Sequence, residues 1–151
     1  MTTCSNPLNG LPDPGRQAAF YQGVPLKRAI AWVIDGVFVF ILTLLASLMT
    51  LGLGFFVFFG LWAVLSFLYR VGTLTMGSAT WGMRLMAIEL RRGDGMRFDG
   101  ATAVLHTVGT FLCFATSVQI VSVILMLFTS RGQGLPDLIL GTTAVNQMAR
   151  F

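Results

Sequence analysis

The sequence predicts an all-α membrane protein: a transmembrane helical hairpin, a third apolar helical block that is broken or re-entrant, and a small cytoplasmic β-hairpin. Of its 151 residues, 55% are hydrophobic and only 11% are charged, whereas soluble domains usually carry about 25% charged residues. A water-soluble fold of this size could not bury so much apolar surface, so lipid must cover part of it. The apolar residues also fall into three long blocks, with most charges between them.

The N-terminal 25 residues are polar, rich in Gly, Pro and Asn, and show no periodicity. This composition predicts a disordered tail at 1–25, followed by a membrane domain at 26–147. A cleavable secretory signal is not expected, because the first apolar run starts only near Ala29 and is longer than the roughly 7–15 residues of a signal core.

The first two apolar segments lie at 29–51 and 54–70. The first holds a single charge, Asp35, and is long enough to cross roughly 30 Å of hydrocarbon. The second also reaches spanning length when part of the glycine-containing turn 51–54 is counted. Together they predict a transmembrane hairpin with a very tight external turn.

The segment 70–100 has a different character, because it carries five arginines (Arg70, Arg84, Arg91, Arg92 and Arg97). By the positive-inside rule this loop is cytoplasmic. Lys27 and Arg28 are then cytoplasmic as well, because two crossings separate them from the loop. Both observations predict a cytoplasmic N-terminus.

Within this loop, the short runs 83–90 and 96–98 flank an Asp-Gly pair at 94–95. Asp-Gly between two such runs is a hairpin signal, so two short strands are expected at the membrane surface. The alternative is an amphipathic interfacial helix.

The third apolar block, 101–129, would measure about 43 Å as a straight helix at ~1.5 Å per residue. That length is too great for one upright crossing and too small for two comfortable ones. A break is expected near 115–117. A single crossing would place Arg131 and Asp137 outside, whereas a re-entrant or short-helix hairpin would return them to the cytoplasm.

Asp35 is the most informative residue, because an aspartate near mid-membrane costs roughly 2.5–3.5 kcal/mol and so faces protein or water rather than lipid. Arg28 lies seven residues earlier, on nearly the same helix face but offset by about 10 Å along the axis. That offset is too long for a direct salt bridge. The partner of Asp35 is therefore expected to be a polar group of the third block, water, an ion, or its own proton.

Two further residues complete the candidate site. His106, the only histidine, could pair with Asp35 as a proton relay, but a buried or interfacial residue held by one hydrogen bond is the favoured interpretation. Asp137, after Pro136, is either an ion ligand or partner of Arg28, or a loop aspartate that starts or caps a short helix. The set predicts an ion or proton site, or a structural polar cluster.

No catalytic, phosphate-binding or metal-binding constellation is evident, so we expect neither an enzyme nor a cofactor or metal. Cys4 and Cys113 have no metal spacing and no disulfide framework. The pI near 9.8 fits basic loops held against anionic lipid headgroups. The expected partner is therefore the bilayer rather than nucleic acid.

Arg28 at the start of the first helix, Asp35 in its interior and Asp137 near the end resemble the RDD family of bacterial integral membrane proteins, named for one arginine and two aspartates. The segment 75–94, TMGSATWGMRLMAIELRRGD, is similar to the family's T-G-x-T-x-G-K-x-x-x-G-L-R-V-V. The segment 131–145, RGQGLPDLILGTTAV, is similar to its R-R-Q-x-L-H-D-x-L-A-G-T-x-V-V.

Three departures stand out: Pro136 replaces the usual His, His106 a frequent Arg, and Met83 a familiar Lys. If those groups bind an ion or move protons in the family, this chain has lost part of that activity.

The resemblance implies a multi-pass protein of the bacterial inner (plasma) membrane that transports ions or small ligands, including by cation/proton exchange. The alternative is a non-catalytic accessory or assembly subunit in which the Arg and Asp residues are structural. Because so few membrane segments rarely form a transport path alone, a homo-oligomer or larger membrane complex is expected. A terminal strand at 142–145 that pairs with the cytoplasmic hairpin would favour the broken third block.

Overall fold

The structure is a computed structural model and describes residues 10–147. Short 3₁₀ turns at Ala18–Phe20 and Leu53–Phe55 accompany the regular elements. In chain order these elements are α1 (Val24–Met49), α2 (Phe58–Gly77), α3 (Trp81–Leu85), β1 (Ile88–Arg92), α4 (Gly100–Ala115), α5 (Gln119–Phe128), α6 (Leu135–Leu140) and β2 (Thr142–Asn146).

Helix α1 begins sharply, since Gly23 has a positive φ of 70° and Pro25 follows in the first turn. Proline suits this position, where a backbone N–H would have no intrahelical partner. The buried residues recur every four or seven positions, which places them on one face of the helix. Large apolar side chains elsewhere on α1 are exposed, as suits a helix surrounded by lipid. The buried residues are Val24, Ala31, Asp35, Val39, Thr43 and Ser47.

The segments Ala18–Met49 and Phe58–Gly77 are long and apolar enough to cross a membrane, and α1 packs against α2 as a helical hairpin requires. Leu51 and Gly52 adopt positive φ values in the turn. One boundary prediction was wrong: α2 continues to Gly77 instead of ending at residue 70. Arg70 therefore lies inside the helix rather than in a polar loop. The helix ends instead at Ser78, which has a left-handed backbone conformation and whose amide donates to the Leu74 carbonyl at 2.8 Å.

The third apolar block is broken, as predicted. The helix axis bends by 115° between α4 and α5, and Ser117, which lies in the break, has a φ of +58°. Beyond α5 the chain returns through α6 to β2, which pairs with β1. The segments before and after the broken pair therefore lie at the same end of the domain.

The expected pairing of the runs 83–90 and 96–98 was wrong, whereas the terminal strand expected at 142–145 is present and pairs with the first of them. Strand β1 pairs with β2 in antiparallel register, from Ile88 opposite Asn146 to Arg92 opposite Thr142, and the 96–98 run contributes only an isolated bridge at Arg97. The first half of the predicted strand 83–90 belongs instead to α3 and the turn after it.

Two local interactions explain the altered pairing. The Thr80 side chain caps α3 by accepting a hydrogen bond of 3.3 Å from the Met83 amide. Phe98 is buried, and its amide donates to Ser78 Oγ at 2.8 Å. This contact draws the chain after the Asp-Gly turn into the core rather than along β1.

A small hydrophobic core joins the sheet to the adjacent ends of the helices, and the side chains that form it come mainly from α1, α2, α3, β1, α4 and β2, with Phe98 from the segment between β1 and α4. These residues include Val24, Ala31, Leu74, Met83, Ile88, Leu90, Phe98, Ala103 and Ala144.

The predicted tail lies partly outside the described residues, which start at Gly10. Its described part contacts the sheet end of the domain. The Gly10 backbone amide donates to the Gly93 carbonyl at 3.2 Å, and the side-chain Nδ2 of Asn146 donates to the Ala19 carbonyl at 2.9 Å. Tyr21 is buried, and its hydroxyl donates to the Pro12 carbonyl at 2.8 Å.

Candidate functional site

Asp137 lies in the first turn of α6, and its side chain is fully buried. Its carboxylate forms a salt bridge with Arg28 and contacts His106 Nε2 at 2.8 Å. It also accepts hydrogen bonds from the Gly134 amide at 3.0 Å and from Thr142 Oγ1 at 3.2 Å. We call these five residues the Asp137 cluster. It joins α1, α4, α6 and the start of β2.

The electrostatics of the cluster favour an ionised carboxylate. Burial alone would raise the pKa of Asp137, but the positive charge of Arg28 and the hydrogen bonds from His106 and Arg28 hold that pKa well below its usual range. An ionised carboxylate only accepts hydrogen bonds, so His106 Nε2 must carry the proton. The Asp137 cluster is thus a closed ion pair with added donors.

Asp35 occupies a second cluster, and only 6% of its surface is exposed. It accepts hydrogen bonds from the Tyr69 hydroxyl at 2.6 Å, from Thr80 Oγ1 at 2.5 Å and from the Gly82 amide at 2.8 Å. We call these four residues the Asp35 cluster. All three donors are neutral, and they come from α2, the segment after it, and α3.

Gly82 makes this second cluster possible. A Cβ at this position would collide with the Ala31 carbonyl of α1 and lie 3.0 Å from Asp35 Oδ1. The absence of a side chain therefore lets α3 approach α1 closely enough for the Gly82 amide to reach the carboxylate.

The four predicted site residues separate into these two clusters. Arg28, His106 and Asp137 meet, as one of the predicted alternatives for Asp137 required, and Asp137 also lies in the first turn of its helix. The less favoured hypothesis that His106 pairs with Asp35 was wrong, because His106 Nε2 contacts Asp137 instead. The favoured interpretation, a buried histidine held by one hydrogen bond, agrees with the structure. The third block also does not supply the hydrogen-bond donors of Asp35.

Two cavities lie on either side of a stacked aromatic pair, Trp32 and Phe114, whose ring centroids are 5.5 Å apart. The α5 cavity, of about 510 Å³, lies among residues of α1, α4, α5 and the start of α6. The α2 cavity, of about 400 Å³, lies among residues of α1, α2 and α4. Both cavities are lined by Asp35 and Arg70, so the charged groups stand where the two spaces meet.

Arg70 is the charged site residue that sequence reasoning missed, besides the neutral partners of the two aspartates. Its side chain is only partly exposed. Its Nε is buried without a hydrogen-bond partner, and its guanidinium forms no ion pair within the described part of the chain. The sequence did hold a signal for it: Val71 and Leu74 continue the apolar pattern beyond Arg70, so the helix did not need to end there.

We also compared the described residues of the two clusters with the ligand sets of metal sites. Among residues 10–147, no group of three or more His, Cys, Asp or Glu side chains is placed to hold a metal ion. The arrangement supplies instead one ion pair, one carboxylate with neutral donors and one arginine beside two cavities.

Two long apolar helices, a broken apolar pair and buried charged clusters define a small helical membrane protein. The chain belongs to the RDD family, whose family model matches residues 23–141. This match confirms the family suggested by the sequence motifs, and it includes both clusters except for Thr142. No match was found among the curated proteins or the solved structures.

Proposed function

We propose that this RDD-family protein moves an ion or a small ligand across the bacterial inner membrane, with cation/proton exchange at Asp35 as its specific form. The observation that carries the proposal is the meeting of two cavities at Asp35 and Arg70. Ionisable residues within membrane segments commonly mark substrate or proton pathways. A cavity on each side of such a group provides one space through which a solute can enter the site and another through which it can leave.

The proposed exchange uses the hydrogen-bond chemistry of the Asp35 cluster. In the structure, Tyr69, Thr80 and Gly82 all donate to the carboxylate. A protonated carboxyl group gains a donor of its own, so at least one hydroxyl would have to turn away or become the acceptor. A cation that entered from the α2 cavity would replace that proton as the positive partner of Asp35.

The proposed topology has a cytoplasmic N-terminus, two crossings (α1 and α2) and a re-entrant α4–α5 pair. Its support is the position of the sheet, which joins the segments on both sides of the broken pair. Arginines 84, 91, 92 and 97 also lie on or next to α3 and β1, and basic residues concentrate on the cytoplasmic side of membrane proteins. We further propose a homo-oligomer, because two crossings alone enclose little space.

An accessory or assembly subunit is the second candidate function. The observation that favours it is that both carboxylates already accept hydrogen bonds from groups of the protein. Such clusters can hold helices together without moving a solute. In this case the Asp35 and Asp137 clusters would hold α1 against its neighbours for a partner protein to recognise.

Flux measurements in proteoliposomes test the transport proposal. We expect the wild-type protein to dissipate an imposed proton gradient when Na⁺ or K⁺ is added, and Asp35→Asn to abolish this flux. Asp94→Asn is the matched control, because the Asp94 side chain is 50% exposed and lies outside both clusters. Monodispersity and a cooperative thermal transition establish that each variant is folded.

A second variant covers the case in which Asp35→Asn fails to fold. Ser66→Leu narrows the α2 cavity without removing a donor of Asp35, and we expect it to reduce the flux. Equal flux in the wild type and in a folded Asp35→Asn protein would remove Asp35 from the mechanism. Absence of cation-dependent flux in the wild type would favour the accessory function.

A further inference from the structure

Arg70 stands out because its guanidinium has five N–H donors and no protein acceptor among residues 10–147. Buried polar groups are almost always hydrogen-bonded, and a charged group without partners is especially costly. The Nε atom has no accessible surface, while the side chain contributes to the walls of both cavities. An acceptor that fills a cavity would satisfy these donors.

The other charges of the site already have close partners. Arg28 is paired with Asp137, and Asp35 accepts from three neutral donors. No carboxylate lies within ion-pair distance of Arg70 in the described part of the chain. Arg70 is therefore the cationic group in the site that is left available to a ligand, and the ligand group that complements it is an anion.

The α5 cavity determines the rest of the ligand. Away from Arg70 its wall is mainly aliphatic and aromatic, with Trp32, Val33, Val123 and Leu127 from α1 and α5. Val33 and Leu127 are also more than half exposed, at 56% and 67%, so the cavity is bordered by side chains on the outer surface of the helices. An apolar chain could occupy this space and gain free energy from leaving water.

We propose that Arg70 anchors a binding site for an amphipathic anion, with a carboxylate or phosphate group at the guanidinium and an apolar chain in the α5 cavity. The planar guanidinium fork matches the two oxygens of such a group in a bidentate contact. The anion could come from an anionic membrane lipid or from a free amphipathic carboxylate. The site does not depend on the proposed transport, because it concerns binding alone.

The test is native mass spectrometry on the full chain in non-ionic detergent. One arm looks for phosphatidylglycerol that remains bound after purification, with phosphatidylethanolamine as the zwitterionic comparison. The other arm titrates delipidated protein with decanoate, below its micelle concentration. Decanol supplies the same chain without charge, acetate the charge without the chain, and decyltrimethylammonium the chain with the opposite charge.

We expect decanoate or phosphatidylglycerol to bind, and Arg70→Gln to weaken that binding by about tenfold or more, since charge-assisted hydrogen bonds have roughly this value. Arg70→Lys keeps the charge but loses the fork, so its affinity should fall between the two. Arg97→Gln is the matched control, because Arg97 is exposed on the sheet side. It should bind like the wild type.

A second variant protects the test if Arg70→Gln does not fold. Val123→Trp fills part of the α5 cavity and leaves Arg70 in place, so it should also weaken decanoate binding. Retention of phosphatidylglycerol alone identifies a lipid as the source, and decanoate binding alone identifies a free carboxylate. Equal binding of decanol, stronger binding of decyltrimethylammonium, or unchanged affinity in Arg70→Gln would overturn the proposal.

Discussion

The two buried aspartates differ in how the negative charge of the carboxylate is balanced by its neighbours. Asp137 is compensated by a full positive charge from Arg28, with His106, Gly134 and Thr142 as further partners. Asp35 is held by neutral donors alone, and both cavities reach it. Asp137 is fully buried and lines neither cavity, although its partner Arg28 borders the α5 cavity, whereas Asp35 lines both cavities.

This difference predicts different roles for the two clusters. A closed ion pair that joins α1 to α4, α6 and β2 suits a structural joint, because any change of charge there leaves a buried partner uncompensated. A carboxylate that has only neutral donors and borders two cavities can exchange a partner without separating an ion pair. Substitution of Asp137 should therefore mainly lower the stability of the fold, whereas substitution of Asp35 or Arg70 should mainly change ligand binding or flux.

The largest loss of stability is expected for Asp137→Asn. This change leaves Arg28 with a side chain only 11% exposed and no carboxylate, and breaking a buried ion pair in this way costs about 3–5 kcal/mol. The measurement is the free energy of unfolding from denaturant titration in detergent micelles. Asp94→Asn removes a carboxylate whose side chain is 50% exposed, and should cost no more than about 1 kcal/mol.

A double variant makes the same experiment sharper. Replacing both members, as in Arg28→Met with Asp137→Leu, removes the uncompensated charge as well as the pair. It should therefore destabilise the protein less than Asp137→Asn alone. If the double variant were the less stable of the two, the charge balance assigned to the Asp137 cluster would be incorrect.

The sequence contained much of the site but not its division into two clusters. Motif resemblance and the cost of charge in a membrane singled out Arg28, Asp35 and Asp137. Their partners depend on tertiary contacts: Tyr69 and Thr80 lie 34 and 45 residues from Asp35, and His106 lies 31 residues from Asp137. Helical periodicity relates only residues of the same helix, so it cannot predict contacts between residues on different elements of the fold.

The next effect in size concerns the close approach of α3 to α1. Gly82→Ala would place a methyl group against the Ala31 carbonyl and beside Asp35. Forcing extra volume into a packed interior costs about 1–3 kcal/mol, so we expect a loss in this range in the same unfolding assay. Gly72→Ala is the matched control, since a Cβ there meets nothing within 4 Å. It should be neutral or stabilising by about 0.5–1 kcal/mol.

The comparison of Gly82→Ala with Gly72→Ala would decide whether the Asp35 cluster tolerates a displacement of α3. A stability of Gly82→Ala equal to that of Gly72→Ala would mean that α3 can move away from α1. The Gly82 amide would then not be a fixed donor to Asp35.

The fold shows the same division between what local pattern predicts and what it does not. Apolar length predicted the hairpin and the break near residue 116, because both follow from the span of a helix. The end of α2 was missed, because it is set at Ser78, where the backbone becomes left-handed, and not at Arg70. A terminal strand beside the hairpin was expected, but local pattern could not give its register, which depends on β2 arriving from 50 residues later in the chain, where Thr142 faces Arg92.

The smallest expected effect is that of Tyr69→Phe. It removes one of three donors to Asp35 and also the acceptor of the Trp81 amide, which lies 3.1 Å from the Tyr69 hydroxyl. A neutral hydrogen bond contributes about 0.5–1.5 kcal/mol, so the loss should stay well below that of Asp137→Asn. Thr75→Val is the control, because Thr75 Oγ1 bonds only the Val71 carbonyl of its own helix. If Tyr69→Phe cost as much as Asp137→Asn, Asp35 would be as tightly bound into the structure as Asp137, and the distinction between an open and a closed cluster would fail.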